Sequence, residues 1–181
     1  YARQLIIASA YDPKSGFIPL ANKALAQAMA LPKSGILPHS AQLLLLAHTH
    51  LPIPPSTWAD MHARLRRDPV GPQEINAMGS LTQCARKREC DFPPEQMLAM
   101  YDAALAGGPN PDAATMKGEY LLNVYRDTEG TLALWREAVR LRPAVAQYRA
   151  NLVKLLIHMR RFDEARREIA EIRAMGKLGQ N

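Results

Sequence analysis

With 181 residues, 48% of them hydrophobic, the chain is long and apolar enough to bury a real core, as one domain or two small ones. Its longest strongly apolar run, 43–47, falls far short of the roughly 20 residues that cross a bilayer. A formal charge of +6 admits nucleic acid, an anionic surface or an acidic partner. Acids interleave with the bases, however, as on solvated helix faces, and two cysteines exclude a disulfide-built scaffold.

Ala, Leu, Met, Arg, Gln and Glu are abundant, and runs of Val, Ile and Thr are almost absent, which predicts helices and no sheet. Proline ends a helix or opens its first turn, so the 14 prolines cut the chain into short helices. In order these are 2–11, 17–31, 38–50, 55–68, 72–87, 93–107, 111–125, 129–142, 144–159 and 162–176. Connections of a few residues make sequential helices antiparallel neighbours. The chain begins on Tyr1 rather than Met, and is read as a processed chain or a piece of a longer one.

The last pair shows the pattern best. Tyr148, Leu152, Leu155, Leu156 and Met159 form one apolar stripe, and Phe162, Ala165, Ile169, Ile172 and Met175 form its partner. On the outer face Asp163 and Arg167, then Arg167 and Glu171, stand four apart and predict local ion pairs. Trp58 and Trp135 also fall on stripe positions and predict core packing. Ala104 and Pro109 close "YDAALAGGP" as Ala138 and Pro143 close "WREAVRLRP", and the two prolines are 34 residues apart.

That period, together with "LVKLLIHMRRFDEA" at 152–165, resembles the tetratricopeptide repeat family over about 93–176. Small residues are needed where neighbouring helices cross closely, a physical role for Ala104, Ala138 and Ala165. The departures are Thr131 and Ile172 at positions where the family has Ala, Val153 where it has a small residue, and Arg160 where it has a turn glycine. The resemblance implies an all-α, right-handed stack of about five antiparallel helix hairpins, a tetratricopeptide-like solenoid without sheet. It forms a single domain over 1–181, with degenerate repeats in 1–92, clearer ones in 93–176 and a tail at 177–181.

No nucleophile elbow, phosphate loop or paired catalytic carboxylate occurs, so no catalysis and no cofactor are expected of this chain. The histidines are His39, His48, His50, His62 and His158. His48 and His50 are two apart and diverge on a helix, no carboxylate joins them at helical spacing, and all five are read as surface or rim residues rather than metal ligands. The run 85–89 reads as a solvated loop. Cys84 and Cys90 flank it. If the helix ends near Arg86 the loop folds back and closes a disulfide, which implies an oxidising compartment; the alternative is two reduced, half-buried thiols.

A stack of hairpins curves into a concave groove lined by the first helix of each pair. Its candidate lining is Tyr120, Asn123, Gln147, Asn151, Lys154 and His158, suited to the backbone of an extended peptide or to a carboxylate. The leading expectation is therefore a scaffold that binds a protein or peptide partner. The stretch from "LTQCARKRECDFPPEQMLAMYDAAL" through "RRFDEA" is also similar to the C-terminal repeat region of some bacterial polytopic membrane proteins of glycan assembly or protein glycosylation. This second resemblance, over about 81–176, implies an extracytoplasmic domain, on the periplasmic side of an inner membrane, whose glycosyltransferase or ligase chemistry sits in an upstream membrane segment. A cytoplasmic scaffold is the alternative placement. Nucleic-acid binding through the basic surface is a further alternative.

Overall fold

The structure, a computed structural model, describes residues 17–31, 35–67 and 69–178. The predicted helix over 2–11 and the tail beyond 178 lie outside these residues. The protein is all-helical: 79% of the described residues are in helices and none is in a strand. The helices are α1 (Phe17–Met29), α2 (Leu37–His48), α3 (Pro55–Arg67), α4 (Pro72–Arg86), α5 (Pro94–Ala106), α6 (Pro111–Tyr120), α7 (Thr128–Leu141), α8 (Ala146–His158) and α9 (Phe162–Leu178). A π-helical segment, Leu121–Tyr125, continues α6. Prolines stand in the first turn of α2, α4, α5 and α6, where a missing N–H leaves no bond unmade. No described helix is long and apolar enough to cross a membrane.

The chain divides into two compact units between Gly108 and Pro109. In the first, α1 packs on α2 and α2 on α3, while α2 also meets α4 and α3 meets α5. This alternation sets helices in two layers around Met61, Met78, Leu81, Met97, Met100 and Tyr101, all fully buried. Trp58 is buried as its spacing predicts, with Phe92 edge-on at 5.4 Å. The Thr82 hydroxyl donates to the Met78 carbonyl (2.7 Å), so its short contact with Tyr101 is one in which the phenol donates.

In the second unit α6 packs on α7, α7 on α8 and α8 on α9. Leu132, Trp135, Leu152, Leu155, Leu156 and Ala165 make the core, with Leu122, Val153 and Met159 against it. Asn110 and Asp127 cap α6 and α7 by accepting from the N–H groups of Ala113 (2.9 Å) and Gly130 (2.8 Å). The closest crossing is at Gly118, where a β-carbon would fall 2.6 Å from Trp135 Nε1. Trp135 donates to the Thr115 carbonyl (3.0 Å), and buried Thr131 offers its hydroxyl to the carbonyls of Gly118 (2.9 Å) and Asp127 (2.6 Å). A methyl at 131 would leave the Gly118 carbonyl without that bond.

One local feature recurs through both units. The first helix of each hairpin ends in a left-handed residue: His50 (φ 53°), Arg88 (φ 58°), Arg126 (φ 57°) and Arg160 (φ 58°), 38, 38 and 34 residues apart. After α2, α4 and α8 the turn closes in the same way. Leu51, Glu89 and Arg161 donate to the carbonyls of Leu46, Cys84 and Leu156, and the left-handed residues donate to those of Ala47, Ala85 and Ile157. These are Schellman turns, which satisfy helix-end carbonyls and favour glycine. Here the residues are His and Arg.

Several expectations need correction. Phe162 is half exposed and contributes little to its stripe. Arg167 is not the centre of ion pairs; Asp163 binds Arg166, Glu164 binds Arg136 and Arg161, and Glu168 binds Arg149, because three-residue steps and cross-helix reaches give shorter paths. His39 and His62 are not surface residues but buried, both ring nitrogens of His39 and Nε2 of His62 having no hydrogen-bond partner. Burial pushes both imidazoles below the usual histidine value, and the positive charges of Arg64 near His39 and Arg66 near His62 push the same way.

Candidate functional site

Two places gather polar side chains into an arrangement with chemical potential, one in each unit. In the second unit the face of α8 opposite Tyr148, Leu152 and Leu156 carries Gln147, Lys154, Ile157 and His158, all exposed, with Asn151 half-buried among them. Gln147 donates to Asn151 Oδ1 (3.0 Å), which orients both amides and leaves the Asn151 side-chain N–H groups and the Gln147 carbonyl for a ligand. The acids around this face are engaged: Glu168 with Arg149, Glu164 with Arg136 and Arg161, and Asp112 with Tyr148 and Arg142. Among the described residues no acid pairs with Lys154, Arg126 or Arg160. The unit holds thirteen Lys and Arg against nine Asp and Glu, so its formal charge is positive.

The π-helical segment Leu121–Tyr125 exposes a second set of side chains in the same unit. One extra residue in the turn rotates everything after it by about 100° relative to an α-helix. Ala114, Gly118 and Leu122 keep α-helical spacing on the core side, whereas Tyr125, which would follow Gly118 by two turns onto that side, turns out to 46% exposure beside exposed Asn123 and Val124. Tyr120 does not line a groove. It is buried, its ring edge-on to Tyr125 at 6.2 Å. Helical spacing alone carried no sign of the insertion. A shallow depression on α9, lined by Arg166, Ile169 and Arg173, belongs to one helix only and encloses nothing.

In the first unit Cys84 and Cys90 are joined in a disulfide, with α-carbons 5.3 Å apart and both side chains buried. The local sequence explains the pairing. Helix α4 ends at Arg86, Arg88 takes the left-handed conformation, and the N–H groups of Glu89 and Cys90 both turn back to the Cys84 carbonyl (3.0 and 3.3 Å). Arg86, Lys87, Arg88 and Glu89 remain exposed. His48, in the last turn of α2, lies against the bond, with Nε2 3.9 Å from Cys84 Sγ and Nδ1 4.0 Å from Cys90 Sγ. Sequence distance hid this neighbour, since His48 and Cys84 are brought together only by the packing of α2 on α4. His50, in the left-handed turn, and His158 are exposed as expected.

No family model, curated protein or solved structure matches this chain.

Proposed function

We propose that the protein is an interaction module, and that its second unit docks an extended peptide bearing a carboxylate on the face formed by α8 and the π-helical segment. The observation that carries this reading is an unpaired Lys154, one turn from the oriented Gln147–Asn151 amide pair and flanked by exposed Ile157, on an element that shares a core with the π turn. Amides suit a peptide backbone, Lys154 and Arg160 a carboxylate, and Val124, Tyr125 and Ile157 apolar side chains along it. The recurring left-handed turns and the alternate packing of α2 with α4 and α3 with α5 support a repeat of tetratricopeptide-like hairpins as its framework.

Peptides selected from a displayed library on the full chain supply the probe, with affinity read by fluorescence anisotropy. Lys154→Ala and Val124→Asp should each weaken a selected peptide about tenfold or more, near 1.4 kcal/mol, with the helical signal unchanged. Amidating the peptide's carboxylates should do the same. Affinity indifferent to both variants would refute the reading, and a steep loss of oligonucleotide affinity with salt would transfer it to nucleic acid.

The Cys84–Cys90 bond favours a second reading of where the chain works. Disulfides persist in oxidising compartments, which supports an extracytoplasmic placement. Mass spectrometry of non-reduced peptides from the native source tests the placement, and two free thiols there would remove its basis.

A further inference from the structure

We propose that His48, Cys84 and Cys90 form a redox-gated zinc site, a disulfide when oxidised and a Cys2His metal site when reduced. The donor atoms of the three residues lie within 4.8 Å of one another, and both cysteines are buried. The 3.9 Å between His48 Nε2 and Cys84 Sγ is close to the edge of a tetrahedron drawn around zinc, whose sulfur ligands sit at about 2.3 Å and nitrogen ligands at about 2.0–2.1 Å, and the two sulfurs, bonded to each other in the disulfide, part on reduction. Small side-chain rotations suffice to seat the ion, because the α-carbons of Cys84 and Cys90 are already 5.3 Å apart on a turn pinned by backbone hydrogen bonds.

The orientation of His48 is the independent observation. Its Nδ1 is 2.7 Å from the Leu44 carbonyl, an acceptor only, so Nδ1 carries the ring proton and Nε2 presents its lone pair. A second hydrogen bond from the far ring nitrogen is the usual support of a metal-bound histidine. In the oxidised protein the polar neighbour of that lone pair is Cys84 Sγ at 3.9 Å, a disulfide sulfur with no proton to donate. Once the bond is opened, Nε2 faces a thiol or a thiolate, and a cation between them satisfies both. Two thiolates balance the charge of Zn2+, and a solvent molecule completes the tetrahedron.

The steps balance. A dithiol reductant delivers two electrons and two protons to the Cys84–Cys90 bond, giving two thiols and the reductant's own disulfide. Zinc then displaces two protons, one from each thiol, and coordinates neutral His48 at Nε2. A disulfide oxidant reverses the sequence: it accepts two electrons from the thiolates and two protons from solvent, becomes a dithiol, and the Cys84–Cys90 bond re-forms as the ion is released. The proposal does not depend on the peptide face, which lies in the other unit and contains none of these residues.

The test uses the full chain, reduced with a phosphine under anaerobic conditions and titrated with Co2+ as a spectroscopic stand-in. Expected are one equivalent bound, tetrahedral d–d bands, thiolate-to-cobalt charge transfer, displacement by Zn2+, and no binding by the oxidised protein. His48→Ala should lower affinity by more than the roughly 10–100-fold that losing an outer-shell partner costs, whereas His50→Ala should leave it unchanged. Circular dichroism of each reduced variant follows the fold in parallel. Absence of thiolate charge transfer, equal affinity in His48→Ala, or binding by the oxidised chain would each overturn the assignment. So would loss of helical signal on reduction, since the three donors converge only in the folded state.

Discussion

Gly118→Ala sets two effects of opposite sign against each other. On helix propensity alone the change in α6 gains about 1 kcal/mol, because alanine loses less backbone freedom than glycine. The crossing with α7 says otherwise. A β-carbon at 118 would sit 2.6 Å from Trp135 Nε1 and 2.8 Å from Cδ1, so the ring must withdraw by about 0.8 Å to reach ordinary contact. The indole has little room to do so, since it is buried among Leu132, Leu152 and Leu156 and holds the Thr115 carbonyl at 3.0 Å. Overpacking of this kind costs about 1–3 kcal/mol, and weakening the indole hydrogen bond adds up to about 1 kcal/mol more. The net expectation is destabilisation by up to about 3 kcal/mol, a fall in Tm of up to about 6–12 °C for a chain of this size. Thermal melting by circular dichroism reads it. In a Trp135→Leu background the obstruction is gone and Gly118→Ala should show the helix advantage of alanine, giving a favourable coupling in the double-mutant cycle. A midpoint that rises in the Gly118→Ala single variant would refute the crossing geometry.

Three further outcomes follow from the structure. Arg160→Gly should stabilise by about 0.5–1 kcal/mol, since relief of the left-handed strain at φ 58° outweighs the added freedom of the unfolded chain, while Arg160→Ala, which keeps the β-carbon, should gain nothing; paired urea titrations distinguish the two. Because burial holds His39 and His62 below their unfolded value of about 6.5, the unfolded chain takes up protons first as the pH falls. Stability should therefore be full above that value and decline below it, and His39→Leu should flatten the decline in melts recorded across the range. Reduction of the Cys84–Cys90 bond in metal-free buffer should lower stability by about 2–3 kcal/mol at most, the chain-entropy value for so short a loop, and an unchanged midpoint would mean that the bond only decorates an already rigid turn.

Helix positions were legible in the sequence because proline acts locally. Each proline removes a donor and restricts the residue before it, so the breaks at Pro55, Pro72, Pro94 and Pro111 need no tertiary information, and the predicted segments match the observed helices to within one or two residues at most ends. The apolar stripe of α8 and the stripe position of Trp135 in α7 were legible for the same reason, since 3.6-residue spacing chooses a face whatever packs on it. Turn chemistry was less so. Left-handed residues at 50, 88, 126 and 160 carry no glycine to announce them, and the repeat they mark emerges only from backbone angles. The extra residue at Leu121–Tyr125 was invisible, and with it Tyr125, which α-helical spacing places on the side of Gly118, faces outward. The histidines show the boundary most clearly. Whether His39 is desolvated against α3 and whether His48 reaches Cys84 depend on which helices meet α2, and those contacts join residues tens of positions apart. Local chain stiffness determined where this protein is helical; only long-range burial, which has no period to read, decided which of its polar groups share a site.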